Sequence, residues 1–108
     1  MYNQVRPITF HGRSLEALRA LPPAARRNLG HQLDRVQHGL DPVDWKPMPS
    51  VGKSVRELRV RSKGQYRVIY LVQADTGVHV LHAFQKKSRK TRLHDIRIAR
   101  AVLNEMEH

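Results

Sequence analysis

Between residues 55 and 85 apolar and polar positions alternate with a period of two, interrupted by two short polar segments. Residues 55–61, 66–73 and 78–85 are rich in Val, Ile, Leu, Tyr and Phe. The segments between them, Ser62-Lys63-Gly64-Gln65 and Ala74-Asp75-Thr76-Gly77, carry the Gly and Asp that short hairpin turns favour. The pattern predicts an antiparallel meander of three strands. Because side chains alternate across a strand, Leu58 and Val60 oppose Glu57, Arg59 and Arg61 in the first. In the second, Tyr66, Val68, Tyr70 and Val72 oppose Arg67, Ile69 and Leu71. Both of its faces are apolar apart from Arg67, which suits a central strand covered on two sides. In the third, Val78, Val80, His82 and Phe84 alternate with His79, Leu81, Ala83 and Gln85, and either set can face the core.

A slip of one residue in pairing reverses every side chain. A three-residue loop with Gly64 in a left-handed conformation places Arg59 opposite Arg67, whereas a four-residue loop places Arg67 beside Val60. The first is preferred, since two arginines converging on an open face match a polyanion; charged residues on an open sheet face are also common as plain solvated positions.

Upstream, residues 5–11 read as a short strand that Pro7 confines to an edge or to a strand start. Ser14 is an N-cap for a short helix, Leu15 to Leu21, with Leu15, Leu18 and Leu21 on one stripe. Pro22-Pro23 ends that helix and opens another running to about His38, with the stripe Ala25, Leu29, Leu33, Val36, Leu40 beyond it, and Gly39 at the left-handed C-cap. The two form a helical hairpin that needs a sheet to cover. Residues 41–50, DPVDWKPMPS, hold three prolines and no period, and read as a surface connection with Trp45 as a packing anchor or, alternatively, a base-stacking platform. After the meander, Thr91 or Asp95 caps a last helix with Leu93, Ile96, Ala99, Leu103 and Met106 in phase. No repeat or second domain is visible, so residues 1–108 read as one domain.

Charge changes the picture more than length does. The 108 residues contain 20 Lys and Arg against 9 Asp and Glu, a formal net charge of +11. Thirteen of the twenty lie between Lys53 and Arg100, where only Glu57, Asp75 and Asp95 oppose them. Such a surplus implies a polyanionic partner, nucleic acid first and an acidic protein second. There is no cysteine, which removes disulfides and thiolate metal sites. No apolar run approaches the roughly 20 residues of a membrane span, and the start MYNQVRPITF lacks the features of a signal peptide, so the expected address is the cytoplasm.

Most enzyme classes find no motif here: no Gly-rich phosphate loop and no paired carboxylates. Of the seven histidines only His79 and His82 are close on one element, and an offset of three puts them on opposite faces of a regular strand. No metal and no cofactor are therefore expected. Cations on a sheet, one strand histidine and a basic tail do suit RNA cleavage. RNA carries its own nucleophile, the 2′-hydroxyl, so a protein has to hold the strand in line, stabilise charge on the phosphorane and move protons. Arginine and lysine serve the first two tasks, and a histidine or a lysine of depressed pKa serves the third.

The order and spacing of RELRV, YRVIY and LHAFQKKSRKT, with DWKPMPSVG before and DIRIARAVL after, resemble the phage-derived Gp49-like branch of the RelE/ParE toxin superfamily, to which HigB-type toxins belong. The resemblance covers about residues 5 to 106. It implies an α+β, RelE-like fold, with an N-terminal helical hairpin packed on a small antiparallel sheet and a C-terminal helix. It implies the toxin of a type II toxin–antitoxin pair, an endoribonuclease acting on messenger RNA at the ribosome, and a helix-turn-helix antitoxin of the HigA kind as partner. By position it assigns Arg67 to the scissile phosphate, Arg59 to a basic catalytic position two residues before the first turn, and Lys87, beside Lys86, to a basic site past the last strand. His82 is a proton-transfer candidate on its own chemistry, and Arg61, Lys63, Lys86, Arg89 and Lys90 are RNA-binding candidates. RelE-like toxins often carry a tyrosine near the C-terminus; residues 92–97 have none, and His94 is the only substitute there. Two other readings stay open: a non-enzymatic gyrase inhibitor of the ParE kind, and a catalytically degenerate RNA-binding relative.

Overall fold

The computed structural model describes residues 5–107, apart from the side chains of 89–91. Five strands form one sheet: β1 (Ile8–Phe10), β2 (Trp45–Pro47), β3 (Arg56–Arg61), β4 (Gln65–Gln73) and β5 (Gly77–Gln85), in the order β1-β5-β4-β3-β2. Helices α1 (Ser14–Arg19) and α2 (Pro23–Gln37) cover one face, and α3 (Arg89–Glu107) covers the other. The architecture is the expected α+β arrangement. The meander β3-β4-β5 is antiparallel, while β1 joins the far edge parallel to β5.

Two cores follow from the alternation in β4. Tyr66, Val68 and Tyr70 pack with Leu58, Val78 and Val80 under the α2 stripe Ala25, Leu29, Leu33, Val36. Ile69 and Leu71 pack with Leu81, Phe84, Ala99, Val102 and Leu103 under α3. A fully buried Leu or Val contributes about 1.5–3 kcal/mol, so a central strand apolar on both faces is the natural seam between two layers. Leu40 and Leu93, expected on these stripes, are 52% and 57% exposed. The α2 stripe ends where Gly39, at φ 82°, turns the chain out of the helix.

Several local expectations change. Ser14 does not cap α1 through its side chain: it begins the helix, and its buried hydroxyl donates to the Val80 carbonyl at 3.2 Å, tying the helix to β5. Residues 41–50 are not wholly a loop, because Trp45-Lys46-Pro47 pairs with β3 as an edge strand and Met48 is buried. Pro47 is tolerated there because an edge strand leaves one row of N–H groups unpaired. Asp95 lies inside α3 rather than at its start, and Thr91, the other proposed cap, falls outside the described side chains.

The Arg59↔Arg67 register is observed, closed by Arg61↔Gln65 around a three-residue loop. The left-handed residue of that loop is Lys63, at φ 55°, and not Gly64. The largest departure is a bulge in β5. Ile69 pairs with His82 but Tyr70 pairs with Val80, so Leu81 is the extra residue. The alternation therefore skips a beat at Leu81. Val78, Val80 and Ala83 face α2, while His79, Leu81, His82 and Phe84 face the α3 side. His79 and His82 consequently share a face, contrary to the simple period of two.

Candidate functional site

Register builds the site on the α3 face near the β2 edge. One cross-strand row runs Arg59, Arg67, Phe84, and the adjacent row runs Lys46, Glu57, Ile69, His82. Side chains directly opposite one another in an antiparallel pair stand on the same face. Cations from β2, β3 and β4 are thus brought together, and α3 adds Arg92.

Glu57 is the floor of this cluster, buried beneath the cations. Arg92 Nη1 donates to its Oε2 and Oε1 at 3.1 and 3.3 Å, and Arg67 Nε stands 3.5 Å from Oε1. A buried arginine needs an anion, and Arg67 has an internal one. Its Nη2 also donates to Gln65 Oε1 at 2.9 Å and its Nη1 to the Tyr66 carbonyl at 3.3 Å, while its Nε has no hydrogen bond among the described residues. Arg59 is clamped to Asp44, which accepts from Nε and Nη2 at 3.1 and 2.7 Å and offers its carbonyl to the Arg59 backbone N–H at 2.9 Å.

Two cations feel the crowding. Burial pushes the Arg67 guanidinium down from its ordinary value; Glu57 opposes that shift, and Arg59 and Arg92 add to it. Burial likewise pushes the Lys46 ammonium down, helped by Arg92, opposed by Glu57, and lowered further by Arg59 and Lys86. Among the described residues, Lys46, Arg59, Arg67, Lys86 and Arg92 together face the carboxylates of Glu57 and Asp44. An incoming anion relieves that imbalance. Beside it, Asp44, Arg59, Val60, Arg61, Gln65 and Arg67 line an open pocket of about 200 Å³.

The expected site residues divide accordingly. Arg59 and Arg67 are neighbours in the pocket wall, and Arg61 is exposed at its rim. Lys86 is half-buried, held beside β4 by its N–H donating to the Gln65 carbonyl at 2.8 Å. Lys87 and Lys63 are exposed, the latter in the β3–β4 turn. Arg89 and Lys90 fall outside the described side chains. His82 does not line the pocket: its Nε2 lies 2.8 Å from Asp95 Oδ1, and its ring stacks on Phe84 with centroids 5.3 Å apart. His94 is exposed on α3.

Lys46, Asp44, Glu57 and Arg92 were not among the expected site residues. In Asp44-x-Lys46 and Glu57-x-Arg59 the spacing puts two charges on one side of a strand, but the prolines around Lys46 read as a loop, and Arg92 carries no local signal. Trp45, between the first two, points to the other face, packs against the α2 core and carries Arg56 Cζ 4.0 Å above its ring. That is the packing role, not the stacking one. Among the described residues, no group of three or more His, Asp or Glu is placed to hold a metal, and no helix is long and apolar enough to cross a membrane.

The family model described as Phage derived protein Gp49-like (DUF891) matches residues 16–104. Proteins of that family are associated with toxin–antitoxin systems. No curated protein matches the chain.

Proposed function

The chain belongs to the phage-derived Gp49-like family, and from that premise we propose that it is the toxin of a type II toxin–antitoxin pair that cleaves messenger RNA on the ribosome, as HigB-type toxins do. The observation that carries this reading is the convergence of five cations from three strands, the segment after β5 and one helix on two carboxylates, next to an open pocket. RNA phosphate supplies the missing negative charge.

In this reading the scissile phosphate enters the pocket between Arg59 and Arg67. A guanidinium has five N–H donors; two of Arg67's are used internally, so others remain for phosphate oxygens. Glu57 and Asp44 hold the two guanidinium groups in place before the substrate arrives, and fixed donors at developing charge are typically the largest electrostatic contribution to such a step. The 2′-hydroxyl gives up its proton and attacks phosphorus in line, the bond to the 5′-oxygen breaks and that oxygen takes up a proton to leave as a 5′-hydroxyl, and a 2′,3′-cyclic phosphate remains. Lys86 and Lys87 hold the strand on the leaving side. His82 with Asp95 fastens α3 to the sheet and so keeps Arg92 beside Glu57; its role is positioning. The expected partners are the ribosome with its mRNA and a helix-turn-helix antitoxin of the HigA kind, and the expected compartment is the cytoplasm.

One observation favours a second reading. Arg59 and Arg67 each have an internal carboxylate, as arginines in a purely structural role would, which is what a ParE-like gyrase inhibitor requires. Induction of the wild-type chain and of Arg67→Ala in bacteria, with primer extension on abundant transcripts, separates the two. Growth arrest with new 5′ ends inside translated regions, both lost in the variant, supports the nuclease. Arrest without new ends overturns it in favour of the inhibitor.

A further inference from the structure

The Lys46 side chain is half-buried and makes no hydrogen bond or ion pair among the described residues, although a carboxylate stands directly across from it on β3. Glu57 is already committed to Arg92 and Arg67. A lysine seldom loses water without gaining a partner. Its backbone is held by pairing on both sides of the strand position, Trp45↔Leu58 and Pro47↔Arg56, so the point from which the side chain springs is fixed.

We infer that Lys46, Arg92 and Lys86 form a second phosphate subsite, adjoining the Arg59–Arg67 pocket, so that the face takes two successive phosphates of one single-stranded polynucleotide. This rests on the nucleic-acid reading above and adds to it which residues hold the neighbouring phosphate. Lys46 and Arg59 lie on adjacent strands and two residues apart in row, which places their Cα atoms about 8 Å from each other. Long side chains bridge such a gap to two linked phosphates. Glu57 lies between the two subsites and orients an arginine into each: Arg67 into the first, Arg92 into the second. The groups facing Lys46 are Glu57 and Arg59 from β3, Lys86 after β5, and Arg92 from α3. Four of these five, Lys46 included, are cations, so a phosphate there is attracted by the sum and returns the Lys46 ammonium toward its ordinary value.

The test uses a thymidine trinucleotide, which lacks the 2′-hydroxyl and is not cleaved by that route. It is titrated with both linkages as phosphates and with either one replaced by an uncharged methylphosphonate. Wild-type protein is expected to bind the fully charged form about tenfold more tightly than either mixed form, one charge-assisted contact's worth. Lys46→Met is expected to reduce that ratio below about twofold and to lower the log–log salt slope by about 0.7. Lys46→Arg is expected to restore both. A wild-type ratio near one, or an unchanged ratio in Lys46→Met, overturns the subsite. Because no cleavage is read, the outcomes separate: the expected ratios with intact mRNA on ribosomes would remove the nuclease reading alone, and cleavage with an unchanged ratio would remove the subsite alone.

Discussion

Glu57→Gln removes the buried charge on which Arg67 and Arg92 both rely. The Glu57 side chain is 1% exposed, and those of Arg67 and Arg92 are 9% and 17% exposed, so solvent screens the pairs little. Removing one partner of a buried ion pair costs about 3–5 kcal/mol. Glutamine keeps the shape and one acceptor oxygen, which argues for the lower end, about 3 kcal/mol. Against a total stability of roughly 5–15 kcal/mol for a small domain, that is a large share. With an m-value of about 1.2 kcal/mol/M in urea, the unfolding midpoint is expected to fall by about 2–3 M. Added oligonucleotide is expected to recover part of the loss, since phosphate replaces the missing carboxylate, and to recover more in the variant than in wild type. A midpoint shift under about 0.5 M, or equal recovery in both proteins, would refute Glu57 as the shared anion of the cluster.

Arg67→Ala is expected to lower the cleavage rate by about 10²–10³-fold, the usual effect of losing one preorganised donor to developing charge, read by single-turnover assay. His82→Asn is expected to cost about 1–3 kcal/mol of stability by leaving Asp95 buried without its partner, while cleavage by the folded fraction changes little; a hundredfold loss of cleavage in fully folded variant would make His82 a catalytic residue. Gly77 sits at φ 93°, and a Cβ there would collide with the Pro7 carbonyl where β1 joins β5; Gly77→Ala is expected to destabilise by about 2–4 kcal/mol in urea melts, through left-handed strain plus the clash. Burial, with His79 adding to it, pushes the His11 imidazole below its ordinary 6.5. The unfolded chain therefore binds more protons than the native one below pH 6.5, so this contribution is complete above that pH and is lost as pH falls toward the native pKa. Urea midpoints for wild type and His11→Gln should converge across that acid window.

Much of this fold is legible in the sequence because β4 is so distinctive. A nine-residue strand apolar on both faces demands a layer on each side, and the in-phase stripes of α2 and α3 supply them. The opposition of Arg59 and Arg67 matches the three-residue loop, preferred over a four-residue one because it sets two arginines on one open face, although Lys63 rather than Gly64 adopts the left-handed conformation. A bulge has no such signature: Leu81 and His82 are an ordinary pair until the pairing skips one of them, and the skip is what turns His82 and Phe84 onto the α3 side. Lys46 was hidden for another reason. Three prolines around it read as a loop, yet an edge strand tolerates proline, and only pairing with β3 shows that Lys46 stands across from Glu57. Arg92 lay on a helix whose approach to Glu57 is a tertiary fact, invisible to local pattern.

Purified ribosomes programmed with a defined mRNA, incubated with wild-type protein or Arg67→Ala and analysed for 5′ ends, test the central claim most directly. The account predicts new ends within the decoded region, bearing a 5′-hydroxyl and matched by upstream fragments ending in 2′,3′-cyclic phosphate, with the yield reduced at least about a hundredfold in the variant. Intact mRNA with the wild-type protein, or equal cleavage by both, would contradict it.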